Sequence, residues 1–139
     1  MKKVFALITA LAAALIISAC TNLGQPGADL EQVTGTLTYR ERIALPDNAR
    51  ITVTLADVSK MDAPAEVISR QVFLAEGKSV PFHYALNFTR DEIIPSHTYT
   101  VSARIEVGDK LMFITDTAYR VLTDPAKSQQ QNLLLVKVQ

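Results

Sequence analysis

Cysteine is almost absent: the 139 residues contain one, Cys20. No disulfide can form within the chain, so any fold must be held by its core. Tryptophan is missing, and the aromatic side chains are limited to four Tyr and five Phe. Few flat surfaces are left on which bases or sugar rings could stack. An excess of one charge is missing too. Fourteen basic residues balance fourteen acidic ones, which gives no positive field to attract nucleic acid. No apolar run reaches the roughly 20 residues that a membrane-crossing helix needs. Gly-x-Ser-x-Gly and glycine-rich phosphate loops are absent.

What is present begins at the N-terminus. Lys2-Lys3 is followed by Val4 to Ile17, almost wholly apolar, and then by Ser18-Ala19-Cys20. Two positive charges, a short apolar run and small residues at its end predict a secretory signal peptide. A buried N-terminal helix fits less well, because Ser18 and Ala19 fill a core poorly. The order Ile17-Ser18-Ala19-Cys20 resembles the bacterial lipobox. The resemblance implies that Ile17, Ser18 and Ala19 guide the cleaving peptidase. It also implies that the Cys20 sulfur first receives a diacylglyceryl group, that the leader is then cut away before Cys20, and that the new amino terminus takes a fatty acid such as palmitate. A second chain makes such an anchor stable. Residue 21 is Thr. In the bacterial sorting rule Asp at this place retains a lipoprotein in the inner membrane, so Thr21 points to the outer membrane and its periplasmic face.

Residues 1–19 are therefore expected to be a leader and residues 20–32 a lipidated tether. Residues 33–139 form one domain, enough for one core and too few for two. Loss of Lys2 and Lys3 leaves 12 basic residues against 14 acidic ones, a formal charge of −2.

From Val33 onward the apolar period is two. Val33, Gly35, Leu37 and Tyr39 alternate with threonines, as do Ile51, Val53 and Leu55. Phe82, Tyr84, Leu86 and Phe88 form a third set, and Tyr99 to Val107 a fourth. This is the pattern of half-buried strands. Val67 to Leu74 is also expected to be a strand, with either face inward. The run 132–138 is apolar on both faces, which suits an inner strand. Breaks at 45–49, 61–65, 75–81, 91–97 and 123–129 carry Gly, Pro, Asn and Asp, the residues of loops. Seven or eight short strands with no long helix predict an all-β chain. The expected form is a single antiparallel β-sandwich of the immunoglobulin or transthyretin kind, with a closed barrel as the competitor.

Gly108-Asp109 suits a type II′ hairpin turn. That register places Ile105 opposite Met112 and leaves Leu111 and Phe113 on the polar face. Either the loop is one residue longer, or Leu111 and Phe113 form an apolar outer patch suited to a partner. Arg40 and Arg42, continuing the face of Thr34, Thr36 and Thr38, make a second candidate partner surface.

Chemistry needs groups that converge. His83 is expected on a wet strand face and His97 in a loop beside Ser96, with no third member to complete a triad. Asp57, Ser59 and Asp62 have faint calcium-loop spacing without its Gly and closing Glu; a turn held by Asx hydrogen bonds is the simpler reading. Asp91-Glu92 is expected to open a helical turn. No catalytic set, no metal site and no cofactor beyond the lipid on Cys20 is expected.

The segments RERIALPDNARITVTLADVSKMDAPAEVISRQV, EGKSVPFHYALNF and DKLMFITDTAYRV together resemble the YbaY/YscW family of bacterial lipoproteins, over about residues 35 to 122. The resemblance implies a small β-sandwich on an outer-membrane lipid anchor. In one branch it also implies a pilotin, a chaperone that helps a secretin reach and assemble in the outer membrane. The expectation is a non-enzymatic lipoprotein that binds an envelope protein, such as a secretin, and no nucleic acid. A module for glycan or another envelope polymer is the alternative.

Overall fold

Each segment expected to be extended is a strand in the computed structural model, which describes residues 30–138. The strands are β1 (Leu30–Tyr39), β2 (Arg50–Asp57), β3 (Glu66–Leu74), β4 (Phe82–Thr89), β5 (Tyr99–Val107), β6 (Lys110–Thr115), β7 (Tyr119–Val121) and β8 (Leu133–Lys137). The helical turn expected at Asp91-Glu92 is a 3-10 turn, Arg90–Glu92. The Glu92 carboxylate accepts from the Thr89 N–H at 2.9 Å, which satisfies an otherwise open turn donor. Cys20, its neighbours Ile17, Ser18 and Ala19, and Thr21 lie outside the described residues.

The architecture corrects the expected sandwich. Seven strands follow one continuous path, β3-β2-β5-β6-β8-β1-β4, and β7 pairs with β5 beside it. The element that prevents two separate layers is β8. It pairs antiparallel with β6, Phe113 opposite Lys137. On its other edge it pairs parallel with β1, Leu37 opposite Leu133. The two halves are thereby sewn into one sheet that curls until β3 and β4 face each other. The result is a nearly closed barrel, mostly but not wholly antiparallel. Alternating faces look the same in a sandwich and a barrel, because both bury one face of each strand.

The inward residues of all the strands meet in one core. Val33 and Leu37 from β1, Val53 and Leu55 from β2, Leu86 from β4, Val101 and Ile105 from β5, Phe113 from β6 and Leu133 and Leu135 from β8 are all buried. The inner-strand position expected for 132–138 holds.

Strand β1 starts at Leu30, three residues before the boundary at 33. Leu30, Glu31 and Gln32 pair with Thr89, Phe88 and Asn87. Their extension is imposed by β4 and not by a pattern of their own.

At the β5–β6 hairpin, Val107 lies opposite Lys110, with Gly108 at φ +62°, so the two-residue turn holds. A register shift follows between Ile105 and Glu106, and Phe113 lands opposite Ile105. The extra residue is Met112, a β-bulge within the strand. Phe113 is therefore fully buried, its ring stacked on Tyr39 at 4.2 Å, and its place on an outer partner patch is corrected.

A second irregularity shapes the interior. The Thr34 N–H donates to Gln129 O and the Gln131 N–H donates to Thr34 O, both at 3.0 Å. The loop thus runs along the edge of β1, and the Tyr84 hydroxyl donates to Gln131 O at 2.7 Å. A Cβ on Gly35 would lie 1.7 Å from that carbonyl oxygen. Glycine in this strand is a close-approach residue.

The strand directions give the barrel two distinct ends. The proximal end, where β1 begins, carries the β2–β3, β4–β5 and β7–β8 connections. The distal end carries the β1–β2, β3–β4 and β5–β6 connections.

Candidate functional site

The barrel fails to close between β3 and β4, and no ladder pairs these strands. One side-chain bond spans the gap: Gln71 Oε1 accepts from the Ala85 N–H at 2.9 Å. The Phe73 and Phe82 rings meet beside it, centroids 5.9 Å apart. Seam and strand have a local cause. Ser69 lies opposite Leu55 and Gln71 opposite Val53, so β3 turns polar side chains inward where the other strands turn Leu, Val or Ile. A polar side chain at the gap can satisfy an open backbone donor that an aliphatic one could not.

The ambiguous face of β3 is settled by a bulge. Leu55 pairs with Ser69 and Ala56 with Val67, so Ile68 is the extra residue. It packs against the core. Val67, Val72 and Leu74 turn outward and are 46, 53 and 47 % exposed. Such a row on a long edge strand is uncommon, because open edges recruit other strands unless they are blunted.

Two hollows flank this strand. At the seam, a cleft of about 590 Å³ is lined by Phe73, Leu74, Lys78, Pro81, Phe82 and His83. On the outer face, a trough of about 350 Å³ has Thr54, Ala56 and Val67 in its floor, with Arg70 and Arg104 beside them. Arg104 is paired with Glu106 at 2.8 Å. The arrangement offers an unpaired backbone edge, an apolar row and cationic rims, a binding surface of the kind that an added strand or an amphipathic segment uses.

The other surface residues named from sequence fall at the distal end. Arg40 and Arg42 are exposed, but β1 ends at Tyr39, so they sit on the bend after the strand and not on its face. Leu111 is 36 % exposed beside the β5–β6 turn. The structure thus brings Arg40, Arg42 and Leu111 to one end of the barrel and takes Phe113 inside. β3 was missed as a binding element. The polar pair Ser69 and Gln71 within an apolar run was the available signal.

The histidines assemble no nucleophile. His83 is exposed, as its alternation indicated. His97 Nδ1 lies 2.6 Å from Asp57 Oδ2. Ser59 Oγ, however, donates to the other carboxylate oxygen, at 2.5 Å, so serine and histidine share the acid and do not face each other. The Ser59 N–H also donates to Asp57 Oδ1 at 2.9 Å, the expected Asx turn. The Ser59 hydrogen bond holds the Asp57 carboxyl down at about 2; burial opposes this and His97 adds to it. His97 O accepts from Thr123 Oγ1 at 2.5 Å. The cluster therefore ties three proximal loops together. Among the described residues no three His, Cys, Asp or Glu side chains converge as a metal site.

Residues 28–134 match the family described as type III secretion system lipoprotein chaperone, YscW. The chain belongs to the YscW family. YscW-family membership makes it one of a group of lipoproteins, held to membranes by lipid, whose described role is that of a chaperone. It is 40 % identical over 115 residues to the uncharacterized lipoprotein YbaY of Escherichia coli strain K12. That alignment covers 83 % of this chain and 60 % of YbaY, so the chain spans well under the whole length of that relative. Among solved structures, an alternative pilotin from the type II secretion system of Vibrio cholerae matches with a TM-score of 0.77 and 51 % identity. The match covers 79 % of this chain and 98 % of the pilotin.

Proposed function

We propose that the protein is a non-enzymatic chaperone of the pilotin kind. It receives a diacylglyceryl group on Cys20, is cleaved behind Ile17-Ser18-Ala19 and acylated at the new amino terminus, is sorted by Thr21 to the periplasmic face of the outer membrane, and engages an envelope protein, a secretin subunit first of all. The observation that carries this reading is the likeness to the Vibrio cholerae pilotin, which extends over nearly all of that protein. The open β3 edge and its row of Val67, Val72 and Leu74 supply a surface for the partner. Arg40, Arg42 and Leu111 form a secondary contact at the distal end.

A photocrosslinking residue at position 72 is expected to capture a secretin in intact cells, and Val72→Asp with Leu74→Asp to abolish capture while leaving the fold intact. Secretin multimers should also fall in the outer membrane of cells lacking the protein. Unchanged multimers together with no secretin captured at position 72 would refute the pilotin reading. The glycan alternative loses ground on one observation. The described aromatic side chains are buried or half-buried, and none stands on the surface as a stacking platform.

A further inference from the structure

Five of the exposed large apolar side chains belong to the proximal end. Met61 is 96 % exposed at the tip of the β2–β3 loop, Leu30 56 % at the start of β1, and Ile94 45 % on the β4–β5 connection, with Val58 and Val67 close behind. The bases of the loops that carry them are tied down. The Val58 N–H donates to Thr98 O at 2.9 Å, Asp57 holds His97, and the Ile94 N–H donates to the Tyr99 hydroxyl at 2.9 Å. The same end holds a cleft lined by the apolar Phe88, Ile93, Pro95 and Leu122 and by the charged Glu31, Arg90, Asp124 and Lys127.

This is also the end from which the chain leaves toward Cys20. Nine residues lie between Cys20 and Leu30, ten chain steps with a reach of at most about 35 Å when fully extended. The ten residues of β1 span about 30 Å along the strand, and less along the axis of a barrel whose strands tilt. Seating the distal end on a bilayer would therefore use up most of that reach, whereas the proximal end can meet it with chain to spare.

We infer that the proximal end rests on the lipid bilayer, with Met61, Leu30 and Ile94 dipping into the interface. The inference rests on acylation of Cys20. Acidic side chains here, Asp62, Asp91, Glu92 and Asp124 among them, outnumber the basic Lys60, Arg90 and Lys127. The contact is thus apolar and not electrostatic. On an anionic bilayer it strengthens as salt screens the repulsion, the opposite of a polybasic patch. Its consequence is orientation: the hairpin end stands away from the membrane, and the β3–β4 seam is held upright and open to the periplasm.

The test couples the mature chain through the Cys20 thiol to a maleimide lipid in nanodiscs of phosphatidylethanolamine and phosphatidylglycerol that carry a nitroxide-labelled lipid. Amide broadening is then read by NMR. Broadening is expected to be at least threefold stronger at residues 30, 61 and 94 than at 77 and 109, and to rise with salt. Met61→Asp with Ile94→Asp should remove most of it while the core resonances stay in place. Equal broadening at both ends, stronger broadening at 77 and 109, or no effect of the double variant overturns the inference. Chemical coupling supplies the lipid whatever the cell does. The anchor reading fails separately, if wild type and Cys20→Ala partition alike between membrane and soluble fractions of cells.

Discussion

Replacing Gly35 by Ala is expected to be among the most damaging single-methyl additions in the barrel. The new Cβ would sit 1.7 Å from the Gln131 carbonyl oxygen, 2.7 Å from its carbon and 3.0 Å from the Tyr84 hydroxyl. Reaching the roughly 3.0 Å of the closest contacts that side chains tolerate requires the loop backbone to move by more than 1 Å. That movement opposes the bond from the Gln131 N–H to Thr34 O and breaks the one from Tyr84 to Gln131 O. Overpacking of this kind costs about 1–3 kcal/mol. Leaving the buried Tyr84 hydroxyl without its acceptor costs about 1–3 kcal/mol more. The lower chain entropy of Ala in a strand returns up to about 1 kcal/mol. The net expectation is a loss of about 1–6 kcal/mol, or roughly 4–24 °C in Tm for a domain of this size. Thermal and urea unfolding of the mature protein measure it. Tyr84→Phe alone should cost about 1 kcal/mol, and adding it to Gly35→Ala should cost little further, because the bond is already gone. A Tm change under about 2 °C for Gly35→Ala, or strict additivity of the pair, would refute the account of Gly35 as a close-approach residue.

Phe113→Ala should lose about 3–5 kcal/mol, because the ring is fully buried against Tyr39, while Leu111→Asp leaves the urea midpoint nearly unchanged. Gln71→Ala frees the Ala85 N–H at the seam, and its hydrogen exchange should accelerate several-fold relative to neighbouring β4 amides. Acid should destabilise the fold through Asp57. Its folded value near 2 lies below the ordinary 3.8, so the stability it contributes is complete above about pH 5 and disappears as pH falls toward 2. Asp124 is also held low: burial pushes its carboxyl up, and the hydrogen bonds from Ser128 together outweigh it. Asp57→Asn should flatten the urea midpoint between pH 5 and pH 2; an unchanged slope would show that the proximal loops do not depend on that carboxylate.

Several of these positions were legible in the chain and others were not. The inward sets on β1, β4 and β5 read directly from alternation, because a strand buries every second residue whatever it pairs with. His83 was placed outward by the same rule, and the Asx turn at Asp57 by the company of Ser59. Phe113 could not be placed. A bulge at Met112 shifts the register by one residue, and one residue reverses the faces of a strand. Val67, Val72 and Leu74 were hidden by the bulge at Ile68 in the same way. Alternation carries Arg40 and Arg42 onto the face of β1, but the strand ends at Tyr39, before either of them.

By itself the sequence determined the all-β class, the spacing of the strands and most of the core. These follow from local period and composition, which each residue carries with it. The lipobox resemblance and the prediction that Cys20 is modified belong to the same linear level, since a peptidase reads an extended chain. Only the tertiary structure decided that the sheet closes into a barrel. That outcome depends on β8 returning from the far end of the chain to pair parallel with β1, and a parallel pairing between segments about a hundred residues apart leaves no periodic trace. The open seam is decided at the same level. It exists where the last two edges of one sheet meet, and the polar pair Ser69 and Gln71 in an apolar run points to an edge only once the order of the strands is known.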